Sequence, residues 1–154
     1  MNLTPAEVMV PASDYPVINE NESVNKAADI LINNFRDKDG TWRGYESLLV
    51  KNDCNEVVGF FTLRSLLKAL GLSDRDNVNI LASLFLVRNK NASLQVRNFM
   101  RPLAERTINV TDELNKVVDV IINNQVNQVI VVDRGKIVGI IRAIDLLWFV
   151  DELI

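Results

Sequence analysis

Asn25-Lys26-Ala27-Ala28-Asp29-Ile30-Leu31-Ile32-Asn33-Asn34 returns later in the chain as Asn115-Lys116-Val117-Val118-Asp119-Val120-Ile121-Ile122-Asn123-Asn124. Two unrelated amphipathic helices would share the apolar spacing, but not the order of asparagine, lysine and aspartate. The match extends outward on both sides. Val8-Met9-Val10-Pro11 is echoed by Phe99-Met100-Arg101-Pro102 before the helices, and Val57-Val58-Gly59-Phe60-Phe61 by Ile137-Val138-Gly139-Ile140-Ile141 after them. Three blocks in the same order make the chain a tandem repeat, whose two copies predict a pseudo-twofold body with equivalent clefts between its halves.

Each repeat changes its apolar period in the same sequence. The first predicts an extended piece at Tyr15 to Asn19 and a helix from about Ser23 to Phe35, with Ala28, Leu31, Ile32 and Phe35 on one stripe. Strands at Ser47 to Lys51 and Glu56 to Thr62 follow, joined by a turn at Asn52 to Asn55. A helix carrying Leu66, Leu67 and Leu70 then stops at Gly71. The second repeat predicts a strand at Thr107 to Val110, a helix from Asp112 to about Asn124 and strands at Gln128 to Asp133 and Lys136 to Arg142. Arg134-Gly135 forms its tight hairpin turn, and a last helix runs from Ile144. Thr111 stands at the expected N-cap, with Asp112 and Glu113 in the first turn. A polar insertion at Arg36 to Gly44 lengthens the first repeat. Val78 to Val87 reads as a connecting helix, because Ser73 to Gln95 has too little Gly, Pro and Ser for a flexible linker.

Composition narrows the function. With 154 residues, 48% of them hydrophobic, the chain supports one well-buried body of two halves, and the expected division is 1–72, a connector at 73–95, and 96–154. A net charge of −3 without a basic run gives no electrostatic footprint for nucleic acid. Ile137 to Val150 is broken by Arg142 and Asp145 and is shorter than the ~20 residues of a spanning helix, so no membrane is expected. Met1 to Val10 lacks the basic start and apolar core of a signal peptide. Cys54 is the only cysteine, which suits a reducing cytoplasm. Histidine is missing from the sequence altogether, which removes the commonest general base and metal ligand; no catalytic residue and no metal site is expected.

The ordered pieces Phe99-Met100-Arg101-Pro102, Thr107-Ile108-Asn109-Val110, Val129-Ile130-Val131-Val132-Asp133 and Gly139-Ile140-Ile141-Arg142-Ala143-Ile144-Asp145 resemble the CBS domain pair, or Bateman module. The resemblance runs from about Thr4 to Val150. It implies an α+β fold of two β-α-β-β-α motifs packed with pseudo-twofold symmetry, plus a connecting helix. It further implies a non-catalytic regulatory module that needs no cofactor, binds an adenosine compound such as AMP, ADP, ATP or S-adenosylmethionine, and pairs into dimers.

The family's nucleotide signature, Gly-x-x-Thr/Ser-x-x-Asp, joins the last strand to the last helix. A hydroxyl and a carboxylate three residues apart form a capping arrangement, leaving backbone N–H groups for phosphate while the carboxylate accepts from the ribose hydroxyls. Here the signature is split. Gly59-Phe60-Phe61-Thr62-Leu63-Arg64-Ser65 keeps the hydroxyl and loses the carboxylate; the second repeat keeps Asp145 but has Arg142 in place of the hydroxyl. Arg142 offers no acceptor to the helix start, and either contacts phosphate directly or points to solvent. Thr62 is a plain N-cap or a phosphate contact, Ser65 is first-turn filler, and Asp145 is a first-turn acid or the ribose acceptor.

By the same resemblance the site near Asp145 would also use Thr107, Ile108, Val110, Gln128, Val129 and Ile130. Its counterpart would use Val17, Ile18, Tyr45, Glu46, Ser47 and Leu48. Tyr45 either stacks on a base or packs at the rim; Trp42 contacts ligand or a partner subunit. The last helix, Asp145 to Ile154, is apolar on more than one side. It either pairs with a second copy, joined by Leu66, Leu67 and Leu70, or wedges into the monomer's own groove. A ligandless interaction module with two inert signatures is the rival reading. A ligand-binding module of this kind passes its signal by contact to an effector protein, or else buffers or scavenges the ligand.

Overall fold

The computed structural model describes residues 3–36, 47–71, 94–103 and 106–147. The elements run in chain order α1 (Pro5–Val8), β1 (Val10–Pro11), a 3-10 turn, β2 (Val17–Asn19), α2 (Val24–Arg36), β3 (Ser47–Lys51), β4 (Val57–Thr62) and α3 (Leu63–Ala69). A second 3-10 turn leads to β5 (Arg101–Pro102), β6 (Thr107–Asn109), α4 (Leu114–Asn124), β7 (Gln128–Asp133), β8 (Lys136–Arg142) and α5 (Ala143–Leu146). The expected helix at Val78 to Val87, the insertion with Trp42, Tyr45 and Glu46, the Phe35 side chain, and Trp148 to Val150 lie outside the described residues.

Two four-stranded sheets form, in the orders β2-β3-β4-β5 and β1-β8-β7-β6. Each belongs to one compact unit: Pro16–Pro102 holds the first, and Met1–Tyr15 with Leu103–Ile154 holds the second. In both, a parallel pair is bridged by a helix, β2-α2-β3 and β6-α4-β7, because parallel neighbours cannot be joined by a tight turn. An antiparallel hairpin then adds the next strand. The fourth strand comes from far along the chain. β1 pairs with β8 and β5 with β4, and each ends in a proline, which has no N–H to donate and suits a sheet edge.

One face of each sheet packs on its helix. Ile18, Leu48, Val50 and Phe61 meet Val24, Ala27, Ala28 and Leu31 of α2; Ile108, Val129, Val131 and Ile141 meet Leu114 and Val117 of α4. Because side chains alternate along a strand, Ser47, Leu49 and Phe60 stand on the opposite face of the first sheet, and Gln128, Ile130 and Ile140 on that of the second. Those six are also buried.

The hairpin turns follow the sequence. Arg134 and Gly135 both have positive φ, 51° and 78°, between the paired Asp133 and Lys136, as a two-residue turn matched to strand twist requires. In the first hairpin Asn52 Oδ1 accepts from the N–H groups of Cys54 and Glu56, and Asn55 takes φ 63°. Gly71 closes α3 with φ 71°.

The start of α4 departs from expectation. Thr111 is not its N-cap: the helix begins at Leu114, and Glu113 occupies the cap position without a side-chain capping bond. Asp112, expected inside the first turn, reaches back instead to accept from the Asn109 N–H at 2.8 Å and from Lys116 Nζ at 3.1 Å. The Asn109 N–H, followed by Lys116, holds the Asp112 carboxyl below its ordinary value of 3.8. A folded-state value below the unfolded one means the contribution is complete above about pH 4 and disappears as pH falls through the folded value. Asp112→Asn should therefore lower the unfolding midpoint slightly at pH 7, and the gap from the parent should close on acidification below pH 3.8. A gap that persists unchanged at pH 2 in matched salt would refute this.

Candidate functional site

At the open end of the second sheet, β6 and β7 begin and β8 runs into α5. Thr107 is opposite Ile130, and Gln128 is opposite Arg142. The start of α5 is tied to the strand by the Ala143 N–H, which donates to the Asn127 carbonyl at 2.8 Å. The Arg142 N–H donates to Asp145 Oδ2 at 3.0 Å, the return half of a capping box; the forward half is missing, because an arginine side chain has no acceptor for the first N–H groups of the helix. The guanidinium then grips the same carboxylate with two charge-assisted bonds, Nε to Oδ2 at 3.0 Å and Nη2 to Oδ1 at 2.6 Å. Arg142 does not simply project into solvent: its side chain is 20% exposed, and that of Asp145 12%.

The first sheet completes the cap with neutral groups. Ser65 N–H donates to Thr62 Oγ1 and Thr62 N–H to Ser65 Oγ, both at 3.1 Å, with the hydroxyls 3.2 Å apart. Ser65 is thus more than filler: it is buried and completes a reciprocal cap. Ser65 stands where the second repeat has the Asp145 carboxylate.

Opposite each cap residue lies a buried polar side chain. Ser47 pairs in register with Thr62, as Gln128 does with Arg142. Ser47 Oγ and Gln128 Oε1 are both buried with no hydrogen-bond partner among the described residues. A buried acceptor or hydroxyl left unsatisfied costs on the order of 1–3 kcal/mol, so two at matching positions call for a reason.

The other expected site residues separate by face. Thr107, Gln128 and Ile130 share one face with Arg142, whereas Ile108 and Val129 lie in the helix-side core and Val110 packs against it. In the first repeat Val17 and Ser47 stand with Thr62, whereas Ile18 and Leu48 lie in the core. Tyr45 and Glu46 are outside the described residues. Ile18, Leu48, Ile108 and Val129 are all buried.

Three roles escape the sequence reading. Arg106 is only 4% exposed, and its carbonyl accepts from the Ile130 N–H at 2.7 Å, placing a buried cation at the head of β6. Its one signal is a charge directly before a strand. Gly59 and Gly139, the first residues of the split signatures, admit methionines: a Cβ on Gly59 would stand 2.6 Å from the Arg101 carbonyl oxygen and 3.2 Å from Met100 Sδ, and one on Gly139 would collide with Met9. The echoed methionines were visible as a repeat, but not as the partners of the glycines.

A family model for the CBS domain matches residues 6–72 and 96–152. The chain belongs to the CBS domain family. CBS pairs are generally regulatory, non-catalytic modules. Among solved structures the chain is similar to the CBS-pair protein CBSX2 from Arabidopsis thaliana, at 18% identity and TM-score 0.75, over 99% of this chain and 97% of that one. A CBS domain-containing protein of unknown function from Bacillus anthracis is similar at 12% identity and TM-score 0.72, over 99% and 95%. CBSX2 has also been solved in complex with AMP; that structure is 20% identical, TM-score 0.67, over 97% of both chains. At these identities the likeness establishes the CBS-pair fold. Among curated proteins none matches significantly. Among the described residues no helix is long and apolar enough to cross a membrane, and no group of three or more His, Cys, Asp or Glu side chains could hold a metal ion.

Proposed function

We propose that this CBS pair is a sensor of an adenosine phosphate, AMP before ADP or ATP, and that the second repeat carries the working site. Asp145 accepts from the ribose hydroxyls, and the ligand lies along the face of Thr107, Gln128 and Ile130. The observation that carries this reading is a largely buried carboxylate at the signature position, held by the Arg142 that pairs in register with Gln128, whose buried oxygen has no donor among the described residues. An amino or hydroxyl group of the ligand supplies that donor. The AMP complex of CBSX2, a protein of the same fold, supports the choice of ligand.

In the first repeat, Thr62, Ser47 and Val17, with the backbone of Ile18 and Leu48, form the corresponding site. With Ser65 in place of a carboxylate, it binds nucleotide weakly or serves another ligand. The module signals by pairing with a second copy and by contact with an effector protein in the cytoplasm. Leu63 and Leu67 on α3, and Ile144 on α5 with Leu147 at its end, are exposed apolar residues that a dimer would cover.

One observation favours the ligandless reading: Arg142 already engages both Asp145 oxygens. Thermal unfolding with AMP separates the two. AMP at a hundredfold excess over its dissociation constant stabilises by about 2.7 kcal/mol, raising the midpoint by roughly 5–10 °C in a chain of this size. The shift should be present in the parent and absent in Asp145→Ala. No shift with AMP, ADP, ATP or S-adenosylmethionine would leave the ligandless module standing.

A further inference from the structure

Asp145 receives three donors from one residue: the Arg142 N–H, Nε and Nη2. A carboxylate has about four acceptor positions, and a ribose diol needs two of them. With the guanidinium in place about one remains; with it displaced, only the backbone N–H stays and the diol fits. Displacement forfeits two charge-assisted bonds in a largely buried setting, a loss a neutral nucleoside cannot make good. A phosphate can, because it offers the guanidinium the same planar pair of anionic oxygens.

From this exchange of partners, we infer that Arg142 makes the second-repeat site selective for the phosphorylated ligand: the guanidinium passes from Asp145 to the phosphate, and only then does Asp145 open to the ribose. The inference rests on the ribose-reading role of Asp145 proposed above. A hydroxyl at the cap, as Thr62 has in the first repeat, leaves nothing to displace. Arg142 thus converts a nucleoside pocket into one that answers to the phosphate, and adenosine is shut out by the protein's own side chain.

Calorimetric titration of AMP and adenosine into the parent and into Arg142→Thr tests this. The parent should favour AMP over adenosine by about 100-fold. In Arg142→Thr adenosine should bind about tenfold or more tighter than to the parent, and the AMP-to-adenosine ratio should collapse. An unchanged ratio, with AMP still bound by both proteins, overturns the exchange and leaves the ribose reading intact. Failure of every adenine compound to bind either protein overturns both. Should Arg142→Thr fail to fold, the Arg142 Nε–H resonance of the parent decides: it should move on saturation with AMP and stay in place with adenosine, and a signal unmoved by saturating AMP refutes the exchange.

Discussion

Phe61→Ala should cost about 3–5 kcal/mol, the range for removing a fully buried phenylalanine. Phe61 is completely inaccessible and sits on the helix-side face of the first sheet among Ile18, Leu48, Leu66 and Ala69. Those neighbours come from two strands and α3, so no single loop can collapse into the space. Since domains of this kind are stable by roughly 5–15 kcal/mol, the loss is a large share of the whole. It should appear in urea titration as a lower midpoint at unchanged slope, which assigns it to packing rather than to the unfolded chain. A loss under 1 kcal/mol would mean that the helix-side core is not assembled as described.

The second large effect concerns the signature glycines. Gly59→Ala places a methyl group 2.6 Å from the Arg101 carbonyl oxygen, a backbone atom of the edge strand β5, so the strand must shift. Overpacking of this kind costs about 1–3 kcal/mol. At Gly139 the obstacle is the Met9 side chain, which can turn away or be shortened. Met9→Ala should therefore restore much of the stability of Gly139→Ala, whereas Met100→Ala should do little for Gly59→Ala. The comparison separates packing from ligand contact, because both losses are expected without nucleotide. Equal rescue at both positions, measured by chemical denaturation of the two double-mutant cycles, would refute the distinction.

The repeat made the order of the elements legible. Gln128–Asp133 and Lys136–Arg142 have the bounds that the sequence gives them, since polar residues flank each apolar run and the Arg134-Gly135 turn separates the two. β1 and β5 were not legible as strands. Two residues carry no period, and each pairs with a strand more than forty positions away, Gly59 with Pro102 and Pro11 with Gly139. Thr111 misled because a hydroxyl before acids has the composition of a cap; here the Asp112 carboxylate bonds to the Asn109 N–H and the helix starts later.

At the candidate site, sequence located Arg142 and Asp145 but not their embrace. Residues three apart at a helix start are close enough to pair, yet whether an arginine turns to its neighbour or away depends on how much water the packed junction leaves around it. Sequence put Gln128 at the site, but not that its Oε1 is buried with no donor among the described residues, because a strand residue's burial depends on what covers its face. A continuous apolar run such as Val129 to Val132 does not say which of its residues face the helix, so the helix-side placement of Ile108 and Val129 was hidden too.

Backbone amide resonances of the parent protein, followed while AMP is added, test the central claim most directly. The largest shifts should fall at Arg106, Thr107, Gln128 to Ile130 and Arg142 to Asp145, with lesser ones at Ser47 and Thr62 to Ser65. A spectrum that does not change at saturating AMP, or one whose shifts fall away from Arg142 to Asp145, would contradict an adenosine phosphate read by Asp145.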